Sequence, residues 1–300
     1  MLYLVLESLL GIIMADSLPM REAHTKFLKF LEEKNRASAT ILAYGKDIEQ
    51  LIEYLEEKGK KNVDQVLGDD LKEFMQSLAN EGYTPKSISR KTNSTKTFFR
   101  FLKAGNFIQD DPASSVSHPK YEVKPPRVLS KLEYRALRDA CRDDIRTSAI
   151  VEILLQTGIR IGELATLTVD DVKGDKMVVR DEQGKEDRDI PLNKAVQVSI
   201  QNWLKERPES TSHALFITKT GNPLLVRNIR TSIDRYFKLA GINNAKVNDL
   251  RHTFIAHHLM SGASLVLVSK LAGHKRLSTT EKYLDLIKDK IEQNTKLGEL

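Results

Sequence analysis

Apolar residues recur at helical spacing through most of the chain. Phe27, Leu28, Phe30 and Leu31 share one face of a first amphipathic helix. Ile41, Leu42, Tyr44, Ile48, Leu51, Ile52 and Leu55 share the face of a second, which runs out near Gly59. Leu71, Phe74, Met75 and Leu78 predict a third, stopped by Gly82. Thr84-Pro85 then reads as an N-cap followed by proline at the first helical position, where a missing N–H breaks no helical bond. The helix it opens carries Phe98, Phe99 and Phe101 among the basic residues Lys91, Lys96 and Arg100.

The pattern breaks over residues 112–130. Pro112, Pro119, Pro125 and Pro126 exclude a continuous helix there and predict a semi-rigid spacer. Ser130-Lys131-Leu132-Glu133 is a capping box that starts a second set of elements. Residues 147–156 are apolar on one face and end at Gly158. Residues 176–180 and 188–192 read as two strands joined by a polar turn over 181–187 that contains Gly184-Lys185. Asn193 caps a helix bearing Val196, Ile200, Trp203 and Leu204, and further helices follow at 226–240, 247–261 and 264–272. Ser278-Thr279-Thr280-Glu281 reads as a last capping box, which puts Tyr283 roughly one turn inside a helix. The predicted fold class is mainly α with a small β-sheet insertion (α+β). It is arranged as an apolar extension over residues 1–19, a helical domain over 20–112, a linker over 113–129 and a second domain with its tail over 130–300.

Composition adds little to this outline; the distribution of charge adds more. The 300 residues suffice for about two domains at ~150 residues each, with hydrophobic residues at 40% and charged ones at 29%, as in globular proteins. The net charge is +6. Basic residues are concentrated between Lys86 and Arg138, and this favours a track for a polyanion over an ordinary solvated face. The single cysteine, Cys141, excludes an internal disulfide, fits a reducing compartment and reads as an inert packed thiol. The apolar opening lacks a basic n-region, contains Glu7 and is too short to span a bilayer, so it reads as a docking helix or an upstream start rather than a signal peptide.

The candidate chemistry lies mostly in the last sixty residues. Leu250-Arg251-His252-Thr253 is followed by Leu271-Ala272-Gly273-His274 and then by Thr280-Glu281-Lys282-Tyr283-Leu284, while Arg160 stands upstream in Thr157-Gly158-Ile159-Arg160-Ile161-Gly162-Glu163-Leu164. Breaking a phosphodiester without a metal needs a nucleophile, cations on the non-bridging oxygens, a proton for the leaving oxygen and fixed alignment. Arginine forks suit the second task. A phenol suits the first, because its ester is reversible, but with an ordinary pKa near ~10 it needs activation. A turn lysine suits the third. Singly, each residue has a plainer reading as a cap, an ion pair or packing. His252, His257 and His258 lack metalloprotease spacing and nearby cysteines, so they read as packing, with no metal site.

In order and wording these motifs resemble the tyrosine recombinase (phage integrase) family, Xer-like members in particular, from about Arg21 onward. The resemblance implies a helical, SAM-like core-binding domain and a catalytic domain that together form a C-clamp on DNA. It implies Arg160, Arg251 and His274 as catalytic residues, Tyr283 as nucleophile and Glu163 as a buttress, with Lys185 as the hairpin lysine and Lys176 as the fallback. Lys91, Lys96 and Arg100 are the expected DNA contacts. The family places His or Lys three residues before the second arginine, where this chain has Asn248, which cannot take a proton at neutral pH. His274, water, or electrostatic activation by the arginines remain for Tyr283.

The implied activity is site-specific recombination through a 3′-phosphotyrosyl ester and a Holliday junction. It needs no cofactor and acts on double-stranded DNA with an inverted-repeat site, as a homo-tetramer with or without a partner recombinase. The expected location is the cytoplasm, at the nucleoid and away from membranes. The rival readings are a type IB topoisomerase and a non-catalytic DNA-binding regulator. The tail from Leu284, with Leu286, Ile287, Ile291 and Leu297, is long enough to dock on a neighbouring protomer.

Overall fold

Residues 17–122, 124–180 and 187–286 are described by the structure, a computed structural model. The chain divides between residues 123 and 124 into two units, and each has its own hydrophobic core. Most of the apolar extension, the turn with Lys185, and the tail beyond residue 286 lie outside the described residues.

In the first unit the predicted stripes become four helices, α1 (Met20–Glu33), α2 (Ser38–Glu57), α3 (Gly68–Asn80) and α4 (Pro85–Ala104). Phe27 of α1 meets Phe98 of α4 edge to face with ring centres 5.3 Å apart, and Phe99 packs against Phe98 in the same way. Thr84 caps α4 by accepting the Ser87 N–H at 3.2 Å, with Pro85 at the first helical position. The stretch expected as linker from residue 113 begins inside this core. Asp111 accepts the Ala113 N–H at 2.9 Å and starts a 3-10 turn over Pro112–Ser115, which buries Ala113 and Val116. At its other end Leu129 is buried in the second core, where its N–H donates to Thr253.

Lys91 does not face solvent, contrary to its reading as a phosphate contact. It is 6% exposed, and its ammonium donates to Asp47 at 3.0 Å and to Gln50 at 2.5 Å beneath the ring of Tyr83. Arg90 and Ser94 also hydrogen-bond Asp47, so this buried carboxylate engages Lys91 and Arg90, two of the cations that the basic run suggested were free. Lys96 is half-buried and Arg100 exposed. Removing one partner of a buried pair strands the other charge. Asp47→Ala is therefore expected to destabilise the first unit by about 3 kcal/mol, and urea unfolding would measure it. A midpoint unchanged from wild type would mean that Lys91 reaches water once its partner is gone.

The second unit is built around α6 (Ile145–Thr157), which follows α5 (Lys131–Ala140). The sequence suggested one apolar face for α6. Instead Ile150, Val151, Ile153, Leu154 and Leu155 are all buried, because α8 (Lys194–Glu206) and α10 (Val247–Met260) pack on different sides of it. The one carboxylate buried along α6, Glu152, takes a bidentate pair from Arg138 at 2.8 Å. Cys141 is buried in this core, and burial pushes its thiol up to about 11, as an inert thiol requires.

A short helix α7 (Ile161–Thr166) leads into an antiparallel sheet of β1 (Val172–Lys173), β2 (Lys176–Val179) and β3 (Arg188–Pro191). Met177 pairs with Ile190 and Val179 with Arg188, so the alternation buries Met177, Val179 and Ile190 on one face. β1 has two residues, too few to show alternation in sequence. Helix α9 (Val226–Leu239) packs against α5, α6 and α7. α10 and α11 (Leu265–Ala272) then enclose a smaller core with Tyr283, just beyond α12 (Ser278–Glu281). Among the described residues no helix is long and apolar enough to cross a membrane.

Candidate active site

Two helix ends set up the site. α6 stops at Gly158, whose φ of +63° is left-handed and where an added Cβ would lie 2.2 Å from the ring of Phe254. Only glycine fits there, and its carbonyl accepts from Nη1 of Arg251 at 2.6 Å. α11 stops at Gly273, also left-handed with φ +65°, where a Cβ would press on the guanidinium of Arg188 at 2.9 Å. The carbonyl of Gly273 accepts from Nη2 of Arg160 at 2.8 Å. Arg160 and Arg251 are thus each aimed by a backbone carbonyl at a helix terminus.

Glu163 is the hub. It accepts the backbone N–H of Arg160 at 2.7 Å and the Arg160 guanidinium at 2.9 Å. Arg188, at the start of β3, donates to both its oxygens at 3.2 and 2.8 Å and to the carbonyl of Leu271 at 2.9 Å. Burial alone would raise the Glu163 carboxyl, but the bonds from Arg188 and Arg160 outweigh it and hold the group below its ordinary range. It is therefore ionised at neutral pH.

Arg251 differs from the other two. It sits near the start of α10 and is 5% exposed, and among the described residues no carboxylate pairs with it. Burial, and next the charge of Arg160, push its guanidinium down to about 10. It is still a cation at neutral pH, buried with no carboxylate bonded to it among the described residues. Beside it opens a cleft of about 520 Å³, lined in part by Arg230, Lys246, Asn248 and Arg251 itself.

Tyr283 is 4% exposed and packs with Phe254, Ile255, Leu259, Val268 and Ala272. Burial raises its phenol above the ordinary value, partly offset by the charge of Arg251. It does not stand one turn inside a helix. α12 ends at Glu281, Leu277 occupies the N-cap position without a side-chain bond, and Tyr283 lies in the turn that follows, its N–H on the carbonyl of Thr280 at 3.0 Å. Thr280 is fully buried with its hydroxyl 2.7 Å from Nδ1 of His274. That tie pins the segment to the α11 terminus in place of the expected capping box.

Among the described residues no hydrogen bond joins His274 to the phenol. Burial, with the charges of Arg251 and Arg160, pushes it down to about 4, so its imidazole is neutral and serves as a hydrogen-bonding group. The group against Tyr283 is His252, read from sequence as packing, with Nδ1 2.5 Å from the phenolic oxygen. Its Nε2 lies 2.9 Å from the amide of Asn248, one turn earlier on α10.

The structure brings together Arg160, Glu163, Arg251, His274 and Tyr283, with Asn248 at the edge through His252. Arg188 and His252 were missed. Neither stands at a family motif position weighed from sequence, although His252 adjoins Arg251, and that adjacency was the available signal. Lys185 lies outside the described residues. The fallback, Lys176, is exposed with its ammonium on Asp189 at 2.7 Å. Among the described residues no cluster of His, Cys, Asp and Glu side chains is placed to hold a metal ion.

Comparison with known proteins adds an independent line. Residues 127–290 match the Phage integrase family, and residues 25–106 match the Phage integrase, N-terminal SAM-like domain. The chain is 30% identical over 282 residues to Tyrosine recombinase XerC of Roseiflexus castenholzii, an alignment covering 89% of this chain and 90% of that protein. It is 30% identical over 280 residues to Tyrosine recombinase XerD of Staphylococcus haemolyticus, covering 89% and 95%. Among solved structures, the Tn1549 transposon integrase in complex with a circular intermediate DNA aligns with a TM-score of 0.75 at 20% identity, over 93% of this chain and all of that one (100%). A lambda integrase tetramer bound to a Holliday junction aligns with a TM-score of 0.73 at 18% identity, over 89% and 81%. At those identities the structural likeness speaks for the fold.

Proposed function

The chain belongs to the phage integrase family and is a site-specific tyrosine recombinase, and from this premise we propose that Tyr283 is the nucleophile of a centre built from Arg160, Arg251 and His274, with Glu163 and Arg188 holding it in shape. The observation that carries the assignment is the buried guanidinium of Arg251, with no carboxylate bonded to it among the described residues, near enough to the buried phenol of Tyr283 for the charge of each to act on the other. A buried cation without an anion is costly unless a ligand supplies one. A phosphodiester carries the right charge, and two arginine forks match its two non-bridging oxygens.

In the proposed reaction the Tyr283 oxygen attacks phosphorus, the bond to the 5′-bridging oxygen breaks, and a 3′-phosphotyrosyl ester and a 5′-hydroxyl result. Arg160 and Arg251 hold the equatorial oxygens as charge accumulates in the transition state. Neutral His274 adds a hydrogen bond, and Lys185 is assigned the proton for the leaving oxygen. A hydroxyl from the partner strand then reverses the step. Phosphodiester energy is kept in the ester, so the scheme uses no cofactor.

The proposed partner is double-stranded DNA bearing inverted repeats. Exposed Arg100, half-buried Lys96, and Arg230 and Lys246 beside the cleft are the proposed phosphate contacts. A homo-tetramer on DNA is proposed as the working assembly, in the cytoplasm at the nucleoid; the likeness to a lambda integrase tetramer on a Holliday junction supports the former. The proposed domain limits are 20–112 and 130–300, and the burial of Val116 and Leu129 in separate cores supports a boundary between those two residues.

Covalent capture tests this reading. Nicked duplexes from a randomised pool, in which the cleaved end diffuses away, are expected to become trapped on the protein. Peptide mapping is expected to find the DNA on Tyr283 through its 3′ end, leaving a free 5′-hydroxyl. Attachment through a 5′ end, or to another residue, would rule the assignment out.

A further inference from the structure

The phenol of Tyr283 needs a proton acceptor, because burial raises its pKa and its charged partner Arg251 offsets this only in part. Three groups stand in the right part of the second unit. Asn248 cannot take a proton at neutral pH. His274 has its Nδ1 on Thr280 and makes no hydrogen bond to the phenol among the described residues. His252 is the third, with Nδ1 2.5 Å from the phenolic oxygen and Nε2 2.9 Å from the Asn248 side chain.

We propose that His252 is the catalytic residue that takes the phenolic proton of Tyr283, and that Asn248 is the positioning residue that fixes its tautomer. This rests on the reading of Tyr283 as the nucleophile. Asn248 and His252 are four residues apart on α10, so their side chains stand over one another on one helix face. Which end of an amide faces a ring nitrogen is set by the hydrogen-bond network. With Asn248 Oδ1 accepting from Nε2–H, the lone pair of Nδ1 faces the phenol and can accept its proton. With Asn248 Nδ2 donating to Nε2, the proton sits on Nδ1 and is donated to the tyrosine oxygen. A single amide thus supports both hydrogen-bonding patterns, and an exposed Asn248 is free to turn between them.

The step balances. As the bond from the tyrosine oxygen to phosphorus forms and the bond to the 5′-oxygen breaks, the phenolic proton moves to Nδ1 of His252. The imidazolium keeps Nε2–H on Asn248 Oδ1, and the 5′-oxygen takes its proton from the general acid. On rejoining, His252 returns the proton to the departing tyrosine oxygen, as reversibility requires. The groups facing His252 are Asp249 and Arg251 from its own helix and Tyr283 and His274 from the segments that follow. Burial and Arg251 hold the imidazole below its ordinary value against Asp249, so it is neutral and able to accept at neutral pH.

The test uses the nicked duplexes captured by the wild-type protein, made once with oxygen and once with sulfur at the 5′-bridging position. A sulfur leaving group needs no proton, so it rescues loss of a general acid but not loss of a general base. His252→Gln is expected to bind these duplexes as wild type does and to cleave both at least ~100-fold more slowly. Asn248→Leu is expected to cleave about tenfold more slowly. Asn248→Asp puts a carboxylate on Nε2 and is expected to move the ascending limb of the pH–rate profile to higher pH, a shift that a packing role would not produce. Cleavage by His252→Gln within threefold of wild type, or restoration by sulfur, would falsify the proposal. Should His252→Gln fail to bind DNA, the unmoved pH limb of Asn248→Asp overturns it instead. If wild-type protein traps no DNA on Tyr283, the nucleophile reading falls and this one with it.

Discussion

Tyr283→Phe is expected to leave the protein folded and DNA-bound while lowering covalent trapping by at least about ten-thousand-fold, or roughly 5 kcal/mol on the barrier. The substitution removes one oxygen. The ring keeps its place among Phe254, Leu259 and Val268, so no cavity opens. What is lost is the hydrogen bond to His252, worth about 1 kcal/mol, and a small fall in melting temperature is the structural consequence. The chemical consequence is far larger, because nothing else can form the phosphotyrosyl ester. Ser278 and Thr279 are near in sequence but exposed, and the hydroxyl of Thr280 is engaged by His274. Gel quantification of trapped duplex, beside a mobility-shift assay for binding, separates the two effects. Persistent trapping in the phenylalanine variant would move the nucleophile elsewhere.

What the sequence revealed and what it hid follow a physical rule. Features carried by neighbours along the chain were legible: the stripes of α1 to α4, the caps at Thr84 and Ser130, the two long strands, and the Arg160–Glu163 motif, which is one turn of helix. Features made by residues brought together only on folding were not. Arg188 reaches Glu163 across 25 positions and His252 reaches Tyr283 across 31, and no local periodicity encodes either meeting. Lys91 misled for the same reason. Its partner Asp47 is 44 residues away, so a neutralised lysine read as a free one. Ser278 failed differently. Its box has the right residue types, but burial of Thr280 against His274 competes with the cap and shifts the helix start. A local signal holds until a tertiary contact outweighs it.

Arg251 tests the site from the opposite side, through stability. Its guanidinium is lowered from 12.5 to about 10 in the folded protein. For a cation this means that folding disfavours the charged form. The cost is fully present at every pH below about 10 and fades only as pH rises toward the unfolded value. At neutral pH it amounts to about 3 kcal/mol, set against one charged hydrogen bond to Gly158, worth roughly 2 kcal/mol. Arg251→Met, which keeps the buried volume and drops the charge, is therefore expected to melt within ~1 kcal/mol of wild type, or above it. An arginine held for structure in a buried ion pair would instead cost about 3–5 kcal/mol on removal. Cleavage is expected to fall by at least ~100- to 1,000-fold, the usual loss when one preorganised donor to the transition state is removed. Arg251→Lys should recover only part, since an ammonium keeps the charge but loses the planar fork. Inorganic sulfate supplies the missing anion directly. It should raise the melting temperature of wild type more than that of Arg251→Met, because only the wild-type site gains an ion pair on binding. An equal rise in both, together with a large loss of stability in the methionine variant, would make Arg251 a structural arginine and leave the phosphate without its second clamp.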